Sequence, residues 1–132
     1  MQENKIYQAG LYLRLSSDDD QVGESVSIGT QRDILTDYCQ QHQYAIYDVY
    51  VDDGYSGMYF SRQDFLRLLK DIEQGFVNMV ITKDLSRLGR DYIMTGYYSE
   101  IYFPSVGVRY IAVQITLTPS KVEMRSHRLR IF

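Results

Sequence analysis

Polar and apolar residues along this chain fall into blocks of two alternating periods, near two and near four residues. From Ile6 to Leu15 the period tends to two. Leu11, Leu13 and Leu15 share one face, and Tyr12, Arg14 and Ser16 the other, which predicts a strand. Ser17 to Gly23 is polar and ends on glycine, as a loop does. From Ser27 to Gln43 the period lengthens: Ile28, Gln31, Leu35, Tyr38 and Cys39 recur at helical spacing, with Ser25 or Ser27 as the cap. Ala45 to Val51, rich in β-branched and aromatic residues, predicts a second strand. The turn-forming run Asp52-Asp53-Gly54-Tyr55-Ser56-Gly57 follows it. Arg62 to Gln74 predicts a helix with Phe65, Leu66, Leu68, Leu69 and Ile72 on its apolar side, stopped by Gly75. Val77 to Thr82 predicts a third strand. Tyr92 to Phe103 predicts a helix that Pro104 helps to end, and Val108 to Val113 a fourth strand.

Strands alternating with helices across short loops predict an α/β fold: a mainly parallel central sheet of four to five strands, with helices on both faces. In such sheets ligands bind beyond the carboxyl ends of the strands. Ser16, Asp53 and the stretch Lys83 to Arg90 each follow a predicted strand, so three chemical clusters are expected along one edge.

Composition narrows the partners. At 45% hydrophobic, the 132 residues can bury a core as one domain. A net charge of −3 and a pI of about 5.3 exclude a generally basic, nucleic-acid-coating domain. Contact with DNA would have to come from a local cluster. The single cysteine, Cys39, excludes an internal disulfide and reads as a buried thiol. Two histidines, His42 and His127, cannot by themselves build a zinc site, and no metal or other cofactor is expected. No apolar run approaches membrane-spanning length, and Met1 to Lys5 carries no signal-peptide pattern, so the expected compartment is the cytoplasm. Thirteen tyrosines is a high number for this length, and composition alone does not explain it.

The chemistry is concentrated in Lys83-Asp84-Leu85-Ser86-Arg87-Leu88-Gly89-Arg90-Asp91. Arg87 and Arg90 would share one side of a helical turn. Guanidinium groups held so close repel unless an anion lies between them, and a phosphate suits their planar forks. Arg14 shares a strand face with Ser16, and Arg62 opens a helix. A serine hydroxyl is a weak nucleophile near neutral pH. A cage of cations would stabilise both its alkoxide and the charge that builds on a phosphate under attack.

With these residues in view, the chain resembles the serine recombinases, the resolvase–invertase family. The resemblance is carried by Tyr12-Leu13-Arg14-Leu15-Ser16, by Asp53-Gly54-Tyr55-Ser56-Gly57, by Arg62, and by Asp84 to Asp91, in family order across residues 6 to 113. Glu24-Ser25-Val26-Ser27-Ile28-Gly29-Thr30-Gln31-Arg32 is most similar to the large serine recombinases of mobile elements. The resemblance implies a resolvase-like catalytic domain that cleaves and rejoins DNA at a double-stranded crossover site. Ser16 would form a 5′-phosphoserine bond. Arg14, Arg62, Arg87 and Arg90 would bind the phosphate. Asp53 would orient an arginine or assist proton transfer. Gln31 would order the loop around Ser16, Lys83 would contact phosphate or backbone, and Tyr12 would pack against the site. It also implies dimers or tetramers in the intact family protein.

Simpler readings apply to other residues. Ser17 would point to the opposite strand face from Ser16. Asp18-Asp19-Asp20 reads as a solvated loop rather than a metal cluster. Asp84 and Asp91 would pair with arginines or cap a helix. Tyr92, Tyr97, Tyr98 and Tyr102, at helical spacing, read as packing rather than base stacking. Beyond Val113 the resemblance stops, and residues 114–132 read as a divergent basic tail without the family's long helix and DNA-binding region. A shifted frame for Val122 to Phe132 can encode a more family-like segment, so a frameshift after Val113 is one reading of the tail. Such a chain is expected to show little or no recombination by itself, with association weak or absent. Two rival classes are a non-catalytic remnant acting as a protein-binding module and a phosphate-sensing domain of the response-regulator type.

Overall fold

The structure, a computed structural model, describes residues 6–15, 27–52, 62–88 and 92–113. Four parallel strands form one sheet: β1 (Gln8–Arg14), β2 (Ala45–Asp52), β3 (Met79–Thr82) and β4 (Arg109–Ala112), in the order β2-β1-β3-β4. Three helical segments connect them: α1 (Ile28–His42), α2 (Gln63–Glu73) and α3. The last is α-helical at Tyr92–Gly96, π-helical at Tyr97–Tyr102 and α-helical again at Phe103–Ser105.

The period-two pattern divides the core into two layers. Ala9, Leu11, Leu13, Met79 and Ile81 pack under α1 with Leu35 and Cys39. Tyr12, Tyr50, Val80 and Tyr110 face the other way, against Phe65, Leu68 and Ile72 of α2 and Phe103 of α3. Gly10 lies on this second face. A Cβ there would stand 2.8 Å from Leu68 Cδ1 and 3.1 Å from Tyr50 Cε1, so the glycine lets α2 sit close to the sheet.

The helix ends follow from local chemistry. Ser27 caps α1, its hydroxyl accepting from the Thr30 N–H at 3.1 Å. Gly75, at φ 88°, turns the chain left-handed after α2. Pro104 departs from expectation: it lies inside the last helical residues rather than beyond them. Proline has no N–H and its ring crowds the carbonyl one turn earlier. The preceding turns are wide, with the Phe103 N–H donating to the Tyr98 carbonyl, so the chain stays helical to Ser105. β2 also runs one residue further than expected, which makes Asp52 a strand residue.

Candidate active site

β1 and β2 stay paired up to Arg14 and Asp52, but β3 leaves β1 earlier, at Thr82 opposite Tyr12. The N–H and C=O of Arg14 point to the side that β3 has vacated. Side chains take them over. Gln31, fully buried on α1, accepts from the Arg14 N–H at 3.3 Å and donates to its carbonyl at 3.1 Å. Arg87 donates to the same carbonyl at 2.8 Å. Gln31 thus continues the sheet where a strand is missing, and the sequence pattern could not reveal that substitution.

Arg14 itself reaches the other way. Its Nε donates to the Arg87 carbonyl at 3.2 Å and its Nη2 to the Ser86 carbonyl at 2.8 Å. Arg62, immediately before α2, donates to the Arg87 carbonyl at 3.3 Å and to the Tyr12 hydroxyl at 3.3 Å, with its guanidinium 3.8 Å above the Phe65 ring. Arg14 and Arg62 therefore meet at the carbonyls of one short 3₁₀ turn, Leu85–Arg87, and Arg87 reaches from that turn back to the Arg14 carbonyl. Arg14 and Arg87 are almost wholly buried, at 7% and 4% exposure, a costly placement for a charge unless acceptors surround it. Three acceptors among the described residues are neutral carbonyls, which satisfy N–H groups without themselves carrying a charge.

Two carboxylates organise the cluster. Asp84 caps the 3₁₀ turn through the Ser86 N–H at 3.2 Å, accepts from the Ser86 hydroxyl, and pairs with Lys83 at 2.7 Å and Arg87 at 3.3 Å. Burial pushes its carboxyl up. The hydrogen bonds from Lys83 and Ser86 and the charge of Arg87 outweigh that, and hold it below the usual carboxylate value. Asp52 accepts from the Tyr12 hydroxyl at 2.7 Å and from the Asp64 and Phe65 N–H groups at 3.0 Å each, so it caps α2 from a neighbouring strand. Burial pushes the Tyr12 phenol well up; the charge of Arg62 opposes this and that of Asp52 adds to it, and Tyr12 remains the donor. Behind them, Thr82 donates to the Asp84 carbonyl at 2.7 Å. Its one proton is then used, so at 2.6 Å it accepts from the Tyr110 hydroxyl.

The structure thus brings together Tyr12, Arg14, Gln31, Arg62, Lys83 and Arg87. Ser16, Asp53 and Arg90 lie outside the described residues, as do Asp18-Asp19-Asp20 and Asp91. Asp52, Thr82 and Tyr110 were not singled out from the sequence. Asp52 had a signal, because Tyr50-x-Asp52 on β2 repeats the parity of Tyr12-x-Arg14 on β1. Among the described residues of this cluster four cations, Arg14, Arg62, Lys83 and Arg87, face two carboxylates, Asp52 and Asp84. The surplus suits an anion that gains charge as it reacts. No group of three or more potential metal-ligating side chains occurs among the described residues, and no helix there is long and apolar enough to cross a membrane.

Comparison with known proteins bears on this site. Residues 9–125 match the sequence model of the family described as Resolvase, N terminal domain, a match that runs past Val113 into the segment read as tail. The fold is similar to the N-terminal catalytic domain of TP901-1 integrase, with a TM-score of 0.69 and 25% identity over 92% of this chain and 98% of that one. It is also similar to a resolvase family site-specific recombinase from Streptococcus pneumoniae, with a TM-score of 0.69 and 27% identity over 96% and 92% of the two chains. In sequence, an uncharacterized immunity region protein 3 of Bacillus phage phi105 is 34% identical over 77 residues, 58% of this chain and 93% of that protein.

Proposed function

The chain belongs to the resolvase family, as a serine site-specific recombinase catalytic domain, and on that premise we propose that Ser16 is its nucleophile and the arginine cluster its phosphate site. The observation that carries this reading is the convergence of Arg14 and Arg62 on the 3₁₀ turn that carries Arg87, with Arg14 sharing sequence parity with Ser16.

The reaction is a phosphoryl transfer between two alcohols. The Ser16 hydroxyl loses its proton and attacks the scissile phosphorus. A bond forms to the 5′-phosphate, the P–O bond to the neighbouring sugar breaks, and the released 3′-hydroxyl takes up a proton. Arg14, Arg62, Arg87 and Arg90 stabilise the charge on the phosphate oxygens, and Lys83 adds to the positive field. Asp53 orients an arginine or assists the proton transfer. The phosphoserine bond keeps the energy of the broken one, so rejoining is the same attack in reverse by a 3′-hydroxyl. Four N–H-rich cations can do this electrostatic work without a metal.

The partners belong to the same reading: a double-stranded crossover site, self-association that is weak or absent in this chain, and a cytoplasmic setting. So does the division into a catalytic unit to residue 113 and a divergent tail from 114. The nucleotide sequence of the gene tests the tail: a family-like segment in the shifted frame identifies a frameshift.

The chemical test uses duplex oligonucleotides with randomised central positions. An adduct needs only the cleavage half-reaction and not strand exchange, so incubation at high protein concentration, followed by a denaturing gel, is expected to reveal a covalent adduct that Ser16→Ala abolishes. An adduct that survives Ser16→Ala, or none from a pool the protein binds, contradicts the assignment.

A further inference from the structure

β2 is an outer strand, so half of its backbone groups face away from the sheet. The Asp52 carbonyl accepts from Leu15 at the end of β1, which places Val49 and Val51 on the free edge. Such an edge is normally open to water or to another strand. Here side chains close it. Asp48 Oδ1 accepts from the Val49 N–H at 2.7 Å, Arg67 donates to the Val49 carbonyl at 3.3 Å, and Asp64 Oδ2 accepts from the Val51 N–H at 2.8 Å. Arg67 ties the group together, 2.7 Å from Asp48 and 3.2 Å from Asp64, with its guanidinium 4.3 Å above the Tyr50 ring.

Asp64 has a second attachment. Its own N–H donates to Asp52 Oδ1 at 3.0 Å. The end of β2 and the first turn of α2 therefore exchange bonds: each carboxylate takes an amide of the other element. Arg62 stands just outside that turn, at φ −130° and ψ 46°, with no side-chain cap of its own. Its carbonyl accepts from the Leu66 N–H at 3.0 Å. The backbone position of Arg62 is thus set by the first turn of α2, and that turn is set by two carboxylates. Asp52 also touches the site directly, through Tyr12. The Asp64 side chain bonds the edge of β2 and acts on the site through α2.

We propose that Asp64 is a positioning residue for the phosphoryl-transfer site. It fastens α2 to Val51 and so fixes Arg62, while Arg67 and Asp48 hold Asp64 in place. This rests on the role given above to Arg62. The ion pairs to Arg67 are half-exposed and add little stability by themselves. The bond from the Val51 amide carries the effect, because it couples a strand edge to the helix that delivers an arginine.

The test uses the full chain and two readouts: the Arg62 Nε–H resonance together with Val51 amide exchange by NMR, and the rate of adduct formation on the randomised duplex pool. In Asp64→Ala the Val51 amide is expected to exchange at least about tenfold faster and the Arg62 resonance to shift. Adduct formation should slow about tenfold with DNA affinity unchanged, because an arginine out of place costs rate rather than binding. Asp64→Asn should restore every readout to within about threefold, since its amide oxygen still accepts from Val51. In an Arg62→Ala background, Asp64→Ala should add no further loss. An Arg62 resonance that stays in place while the Val51 amide opens overturns the proposal, as does an additive loss in the double variant. If no variant forms an adduct, the proposed chemistry fails, and the Arg62 resonance still decides the positioning claim.

Discussion

The two faces of the sheet are built from different materials. Under α1 the buried core is aliphatic and small: Ala9, Leu11, Leu13, Leu35, Cys39, Met79 and Ile81, with Tyr7, Tyr38 and Tyr44 only partly buried against it. Under α2 and α3 it is aromatic: Tyr12, Tyr50, Phe65, Phe103 and Tyr110, with Tyr98 and Tyr102 packed against them. These aliphatic side chains can only exclude water, and the polar contribution from α1 is Gln31 at the Arg14 backbone. The aromatic face excludes water too, and each of three buried tyrosine rings ends in a hydroxyl with an assignment: Tyr12 to Asp52, Tyr50 to Asp71 at 2.6 Å, and Tyr110 to Thr82. A tyrosine spans apolar packing and a polar rim in one side chain. This accounts for part of the tyrosine content, and it explains why Arg62 can rest on Phe65 and still reach Tyr12. The α1 face holds the fold and lends the site Gln31; the aromatic face holds the fold and more of the cluster.

The sharpest way to break this division is Arg87→Ala. Arg87 links the Arg14 carbonyl to Asp84, so its loss unties the turn and removes one of the proposed phosphate ligands. Adduct formation is expected to fall by at least about a hundredfold, as when one stabilising donor is removed from a preorganised site. The rate is measured at protein concentrations where the variant is shown to be folded.

Leu35→Ala attacks the other face. It should cost about 2–5 kcal/mol in a urea titration by leaving a cavity, yet leave the rate per folded molecule unchanged. A large loss of rate at full folding would show that the aliphatic face is not merely a support.

Tyr12→Phe sharpens the comparison, because it keeps the packing and removes only the hydroxyl. Stability should fall by about 1–2 kcal/mol, since Asp52 loses one of three donors. The adduct rate should drop several-fold, because Arg62 loses a contact. Here the smaller stability cost accompanies the larger functional one, the reverse of Leu35→Ala.

The smallest effect is on pH dependence. The folded Asp84 carboxyl lies below its ordinary value of 3.8, so its contribution is complete above that value and is lost as pH falls through the lowered one. Asp84→Asn should therefore flatten the acid side of the stability profile. Urea midpoints compared between about pH 3 and pH 6 check this, with the wild-type falling more steeply at the acid end.

Much of the fold was legible because its two periods are clean: Leu11, Leu13 and Tyr12, Arg14 separate by parity, and Ile28, Leu35 and Cys39 by helical spacing. The site was legible in part. Arginines in short loops after strands invite a phosphate reading, and the structure gathers Arg14, Arg62 and Arg87 together. Asp52 escaped notice because Asp52-Asp53-Gly54 looks like a turn and aspartate disfavours strands. That preference is overridden by three donors arriving from Tyr12 and α2, which depend on the tertiary fold. The backbone role of Gln31 was hidden for a similar reason: it depends on β3 ending before β1 does, and neighbouring strand lengths are not a local property. Pro104 misleads as a helix stop because the wide π turns before it relieve the clash.

The most direct measurement is the mass of the peptide carrying Ser16 after the chain has reacted with duplex DNA and both have been digested. The phosphate-site account predicts a nucleotide joined through its 5′-phosphate to Ser16, absent in Arg87→Ala. The same modification on Ser17 or on another residue, or a modified Ser16 in Arg87→Ala at the wild-type level, would contradict it.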